Sequence, residues 1–294
     1  MSKKSLLKYT YLSIFASLVV ISLKILAFFL TKSVGFLSDA IESLVNVICA
    51  FTAYLMLKLA EKPADKTHPY GHTKAEYFSS LFEAVMIFVA SLSIIFSAIQ
   101  RIIHPQLLEK VSIGLFVSFL ATAINFLTAK ILISVGKKNQ SITLEADGHH
   151  LMTDVLTSVG VIVAVFLINQ TGFLILDPLV AIFVALNILL TATSLIKRSV
   201  SGFLDEALDE KDLNEIKNIF AKYEKKGIKF HSIKSRQSAQ KKFLSFHILF
   251  PNHWSIKKAH DLADKIEKQI KKNLENAEIE SHLEPINDKK SFEN

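Results

Sequence analysis

The chain of 294 residues has one cysteine, Cys49. That excludes a disulfide framework and any cysteine-rich zinc site. Cys49 lies inside an apolar run and reads as a small packing residue. No His-Glu-x-x-His stretch occurs, so the metal-plus-base set of an intramembrane metalloenzyme is missing, and the chain is expected not to be an enzyme. The basic N-terminus leads into a hydrophobic run that lacks a small-x-small cleavage site and is too long for a signal core. Acidic residues are outnumbered, with 27 Asp and Glu against 34 Lys and Arg, for a net charge of +7. Nucleic acid is the obvious partner for such an excess. The positions argue against it: Lys3, Lys4, Lys8, Lys58, Lys62, Lys137, Lys138, Lys197 and Arg198 flank hydrophobic stretches, where basic residues set membrane orientation.

What the chain has is apolar length. Half its residues are hydrophobic, 22 of them Phe, and the mean hydropathy is +0.35, too apolar for a soluble protein. Six segments, roughly 9–30, 36–59, 77–99, 112–135, 144–168 and 174–196, reach the length of about 20 residues that a membrane span needs. The second and fourth connections carry Lys clusters, as do the N-terminal tail and the segment after residue 196. The first, third and fifth connections do not. The positive-inside bias then puts both termini in the cytoplasm and requires an even number of spans.

The apolar runs end near Ser201. Residues 1–204 are therefore expected to form a transmembrane domain and residues 205–294 a soluble one. In the latter, Leu213, Ile216, Ile219 and Phe220 keep helical spacing. Segments 228–233 and 243–250 alternate apolar with polar, a second helix covers about 256–274, and a last strand covers about 278–283. The order α-β-β-α-β makes a small α+β fold.

Polar residues inside spans are costly and mark function by default. His150 and Asp154 are four apart, on one face of the fifth segment. In the second segment Asp39, Glu42 and Asn46 fall at i, i+3 and i+7. Asp39 alone reads as a helix cap, but Glu42 and Asn46 sit deeper. Glu42, Asn46, His150 and Asp154 make a plausible four-ligand cage for a divalent transition metal, against the rival reading of a His–Asp pair that only packs helices. At about 1.5 Å per residue, Glu42 lies roughly 10 Å and Asp154 roughly 20 Å from the outer ends of their spans. Shifted boundaries, or a fifth helix running out past the membrane, would resolve that mismatch. Glu83 and Asn125 suit interhelical hydrogen bonds, and Asp177-Pro178 a helix start.

The second loop holds Asp65, His68 and His72 around Pro69 and Gly71, a tetrahedral metal site short of one ligand; scattered surface histidines fit the spacing equally well. The tail carries His231, His247, His260 and His282, with Glu284 two beyond the last and on the same strand face. Their convergence would make a one- or two-metal site, and separate surface histidines are the alternative.

Together these stretches resemble the cation diffusion facilitator family of metal-ion/proton antiporters. The resemblance rests on the polar pair in the second span, the loop from His68 to Glu76 (His-Pro-Tyr-Gly-His-Thr-Lys-Ala-Glu), His150-x-x-x-Asp154, Leu176-Asp177-Pro178 and the histidine-bearing tail. It implies a six-span bundle whose transport site is Glu42, Asn46, His150 and Asp154. It implies a loop metal site at Asp65, His68 and His72. It also implies a metallochaperone-like cytoplasmic domain that forms a homodimer around metal held by His231, His247, His260, His282 and Glu284. The expected function is efflux of a divalent cation, driven by proton antiport through alternating access in a bacterial inner membrane. Zinc-transporting members usually carry two Asp, or His and Asp, where this chain has Glu42 and Asn46. Zn2+ is the first expectation, with Fe2+, Co2+ and Mn2+ open, and a non-transporting metal sensor or scaffold is the alternative.

Overall fold

The computed structural model describes residues 5–31, 34–104, 112–173 and 175–288. It divides into two compact units, Met1–Val200 and Ser201–Asn294.

The first unit is made of helices α1 (Leu7–Thr31), α2 (Val34–Ala60), α3 (Ala75–Ile103), α4 (Ser112–Asn139), α5 (Ile142–Thr171) and α6 (Leu176–Phe203). All six are long and apolar enough to cross a membrane. Each runs beyond its apolar window, because a hydrogen-bonded helix continues into water where its polar residues find partners. α6 passes Lys197 and Arg198, and Arg198 forms a bidentate pair with Glu145 near the start of α5, at 2.6 and 3.0 Å. At the opposite end Arg101 of α3 pairs with Asp177 of α6 at 2.7 Å, so Asp177 ties two helices besides opening one. Outward faces carry Phe15, Phe78, Phe96, Phe116 and Phe183, each more than half exposed. The interior instead holds Ser13, Ser17, Asn46, Glu83, Asn125 and Asp147. Apolar outside and polar inside is the distribution that a hydrocarbon solvent selects.

α5 is the central strut, packed against α2, α3 and α4. Its crossing with α4 is a backbone approach: a Cβ added at Gly148 would lie 2.7 Å from Ile133 Cγ1 and 2.9 Å from the Ile133 amide nitrogen. Small residues allow such crossings where no hydrophobic effect drives helices together.

The second unit contains α7 (Glu210–Glu224), β1 (Lys229–Ser238), β2 (Lys241–Phe250), α8 (Ile256–Asn273) and β3 (Ala277–Pro285). The sheet order is β1-β2-β3. β1 and β2 are antiparallel across a tight turn at Ala239-Gln240, and β2 and β3 are parallel, which requires the α8 crossover. Asp209 and Ser255 cap the two helices by accepting from the backbone N–H groups of Asp212 and Lys258. One sheet face supplies Leu244, Phe246 and Ile248 to a core with Ile216, Ile219 and Phe220 of α7 and Ala263, Ile266 and Ile270 of α8. β1 extends past residue 233 to Ser238. That end is polar, so hydrophobic alternation does not reveal it, although it pairs with β2 throughout.

Candidate metal centres

The α2–α5 contact brings together side chains that lie more than a hundred residues apart in sequence. Asn46 is 3% exposed and His150 is 7% exposed. Asn46 Nδ2 donates to Asp154 Oδ2 at 2.6 Å, and His150 Nε2 lies 2.9 Å from Asn46 Oδ1. A carboxylate only accepts, so the Asp154 contact orients the amide, and Asn46 Oδ1 must then accept from His150 Nε2–H. His150 Nδ1 is buried and without a hydrogen bond. Asn125 of α4 makes the interhelical hydrogen bond expected of it, and makes it within this set. It donates from Nδ2 to the same Asp154 oxygen at 3.3 Å, and its Oδ1 is buried and unpartnered. The side chains of Asp39 and Glu42 lie outside the described residues. The unequal depths remain: Asn46 lies about 18 Å from the start of α2 and Asp154 about 25 Å from the end of α5, and since their side chains touch, α5, which runs to Thr171, continues past the level where α2 begins.

The loop after α2 gathers a second set. Asp65 Oδ1 accepts from the Thr67 hydroxyl at 2.8 Å, the Thr67 N–H at 2.9 Å and the His68 N–H at 2.7 Å. These bonds, the Thr67 hydroxyl first, hold the Asp65 carboxyl down at about 2. His68 Nδ1 and His72 Nε2 each lie 3.4 Å from an Asp65 oxygen, and the two rings are 4.5 Å apart. One ligand atom from each residue falls within 4.8 Å of the others, a span that one cation can bridge.

The third set occupies the sheet face opposite the core of the second unit. Cross-strand register puts His231 opposite His247, and His247 opposite His282. Glu284, one strand period beyond His282, reaches back into that row. Its Oε2 lies 2.7 Å from His231 Nε2 and its Oε1 3.1 Å from His247 Nδ1. His231, His247 and Glu284 place ligand atoms within 4.8 Å of one another. His282 stands at the rim, 3.8 Å from Glu284 and 68% exposed. His260 does not join them: α8 turns Ala259, Ala263, Ile266 and Ile270 inward, so His260 points to solvent beside Asp264 at 3.9 Å.

Two family models match the chain. One, described as the cation efflux transmembrane domain, covers residues 10–204. The other, the cytoplasmic domain of cation efflux proteins, covers residues 208–286. The chain is 46% identical to the uncharacterized transporter sll1263 of Synechocystis, over 97% of this chain and 92% of that one. It is 28% identical to protein p34 of Rickettsia prowazekii, over 94% of this chain and 91% of that one. It is 27% identical to the cation-efflux pump FieF of Shewanella oneidensis, over 93% of this chain and 92% of that one.

Proposed function

The chain belongs to the cation efflux family, and from that premise we propose that it exports a divalent transition-metal cation, Zn2+ first, in exchange for protons. The observation that carries the reading is the buried contact of Asn46, His150 and Asp154 between α2 and α5. Imidazole, carboxylate and amide oxygen together suit first-row dications. Glu42, one helical turn from Asn46 on α2, adds a second carboxylate to balance the charge of the ion. Zn2+ leads Fe2+, Co2+ and Mn2+ on intrinsic affinity at such sites.

The hydrogen bonds suggest how protons couple to the cargo. His150 Nε2 carries its proton toward Asn46 in the cation-free state, so ligation through that nitrogen requires the proton to leave or to move to Nδ1. Asp154 must likewise give up the Asn46 amide. A ligand binds metal only when deprotonated. Proton-rich surroundings on the outer side therefore favour release, and the protons return inward as the helices rock between two access states. Both termini face the cytoplasm of a bacterial inner membrane in this reading. The loop set and the His231–His247–Glu284 set hold further cations that stabilise a homodimer. The donor sets described here bind and release ions, and no enzymatic step is assigned to them.

One observation favours a second reading. Asn46 bonds His150 and Asp154 at once, as a purely structural link in a metal-sensing scaffold would. Uptake into inverted vesicles under an imposed pH gradient separates the two. Export predicts that the wild-type chain moves at least one of Zn2+, Fe2+, Co2+ and Mn2+, and that Asp154→Ala moves none while keeping the dimer. Equal, background-level movement of all four by wild type and His150→Ala would leave the scaffold.

A further inference from the structure

The polar face of α5 does not stop at His150. Asp147, His150 and Asp154 fall at i, i+3 and i+7, so they share one face. α2 runs the other way and matches them with Asn46 and, one turn on, the fully buried Cys49. Cys49 lies within electrostatic reach of Glu83, Asp147 and Asp154. The ligand-bearing faces of α2 and α5 therefore continue from the transport site toward the end of the bundle that carries the α2–α3 loop.

At that next level stand two buried carboxylates. Glu83 of α3 is 0% exposed and Asp147 is 1% exposed, and they act on each other electrostatically. Ser79 Oγ donates to Glu83 Oε1 at 2.9 Å. Glu83 Oε2, both Asp147 carboxylate oxygens and the hydroxyls of Ser13 and Ser17 on α1 are buried and close no hydrogen bond. Ser13 faces Asp147. Among the described residues no Lys or Arg pairs with either carboxylate. Two buried carboxylates without a counter-charge carry a desolvation penalty of several kcal/mol each, which either protons or a bound cation would relieve. Oxygens that close no bonds on one another are available to close them on a cation.

We propose that Glu83 and Asp147, with the hydroxyls of Ser13, Ser17 and Ser79, form a second divalent-cation site inside the membrane unit, adjoining the Asn46–His150–Asp154 site on the side of the α2–α3 loop. Asp147 and Asp154 are about 10 Å apart along α5, one relay step for an ion. The donors are oxygen, with only the Cys49 sulfur at the border. The set is therefore harder than the imidazole-bearing site beyond it, and it holds a transition metal less tightly. That gradient suits an ion passing from the α2–α3 loop end to a tighter site deeper in the bundle. The direction of passage rests on the export reading; the binding does not.

The test counts bound Mn2+ by equilibrium dialysis on the full-length chain in lipid nanodiscs. One background carries His68→Ala, His72→Ala, His231→Ala, His247→Ala and Asp154→Asn, which removes the three sets described above. It should retain one Mn2+ per chain, and either Glu83→Gln or Asp147→Asn, both close to isosteric, should remove it. As a check on folding, each single variant in the otherwise wild-type chain should lose one Mn2+ while keeping its elution volume and melting temperature. In vesicles Glu83→Gln should raise the half-saturating metal concentration about tenfold. A background that binds no Mn2+, or an unchanged count after either substitution, overturns the proposal. So does a change confined to proton uptake, which would make the pair a proton site. If wild-type vesicles transport nothing while the count behaves as expected, the export reading falls and the site stands.

Discussion

Asn46→Asp replaces one NH2 group with an oxygen at almost no change in volume. In the wild-type chain Asn46 Nδ2 donates to Asp154 Oδ2 at 2.6 Å, and a cation seated on that oxygen must displace the bond. A hydrogen bond to a charged group contributes about 1.5–3 kcal/mol. Removing it beforehand should tighten binding about 10- to 100-fold, before the added carboxylate charge is counted. The cation-free protein should suffer instead, because two carboxylates then face each other across the same short distance. The expected pattern is tighter Zn2+ binding, a lower melting temperature without metal, a larger rise on adding metal, and slower turnover because release is harder. Competition dialysis against a chelator, on full-length chain carrying His72→Ala and Glu284→Ala, measures the affinity. A thermal shift with and without Zn2+ measures the rest. Unchanged affinity together with an unchanged metal-free melting temperature would mean that the Asn46–Asp154 bond survives binding, and the cation would have to sit elsewhere.

Gly148→Ala should lower stability by about 1–3 kcal/mol and reduce transport, since its new Cβ meets Ile133 backbone at 2.9 Å. Gly160→Ala meets side chains alone, the Val184 Cγ2 methyl nearest at 3.1 Å, and should melt close to wild type; equal melting of the two variants would refute the backbone crossing. In the second unit, His247→Ala should weaken metal binding more than His282→Ala, and His260→Ala should leave it unchanged. Dialysis of full-length chain carrying His72→Ala and Asp154→Asn checks this, and equal losses in all three would contradict the geometry. The Asp65 carboxyl is depressed to about 2, so its contribution to loop order is complete above the ordinary carboxylate value and is lost as pH falls through about 2. Carboxyl 13C NMR should find Asp65 ionised at about pH 3; a midpoint at the ordinary value of 3.8 would refute the Thr67 and His68 bonds.

Much of the architecture was readable from local pattern. Six apolar runs of span length predict six helices because lipid admits little else. The alternation in 243–250 and the helical spacing of Leu213 to Phe220 predict the tail elements, since both are short-range periodicities. His150 and Asp154 were bound to share a face for the same reason. Relations between segments were not readable, because spacing along one helix says nothing about the rotation of its neighbour. Folding places the Asn46 amide between His150 and Asp154 and adds Asn125 from a third helix, α4. Strand register aligns His231, His247 and His282 and brings Glu284 between them, while the buried stripe of α8 turns His260 away. Spacing assigns Asp147 no role beside His150 and offers Glu83 only an interhelical hydrogen bond, because the cost of a buried charge depends on which groups surround it. Those surroundings exist only once α1, α3 and α5 have packed.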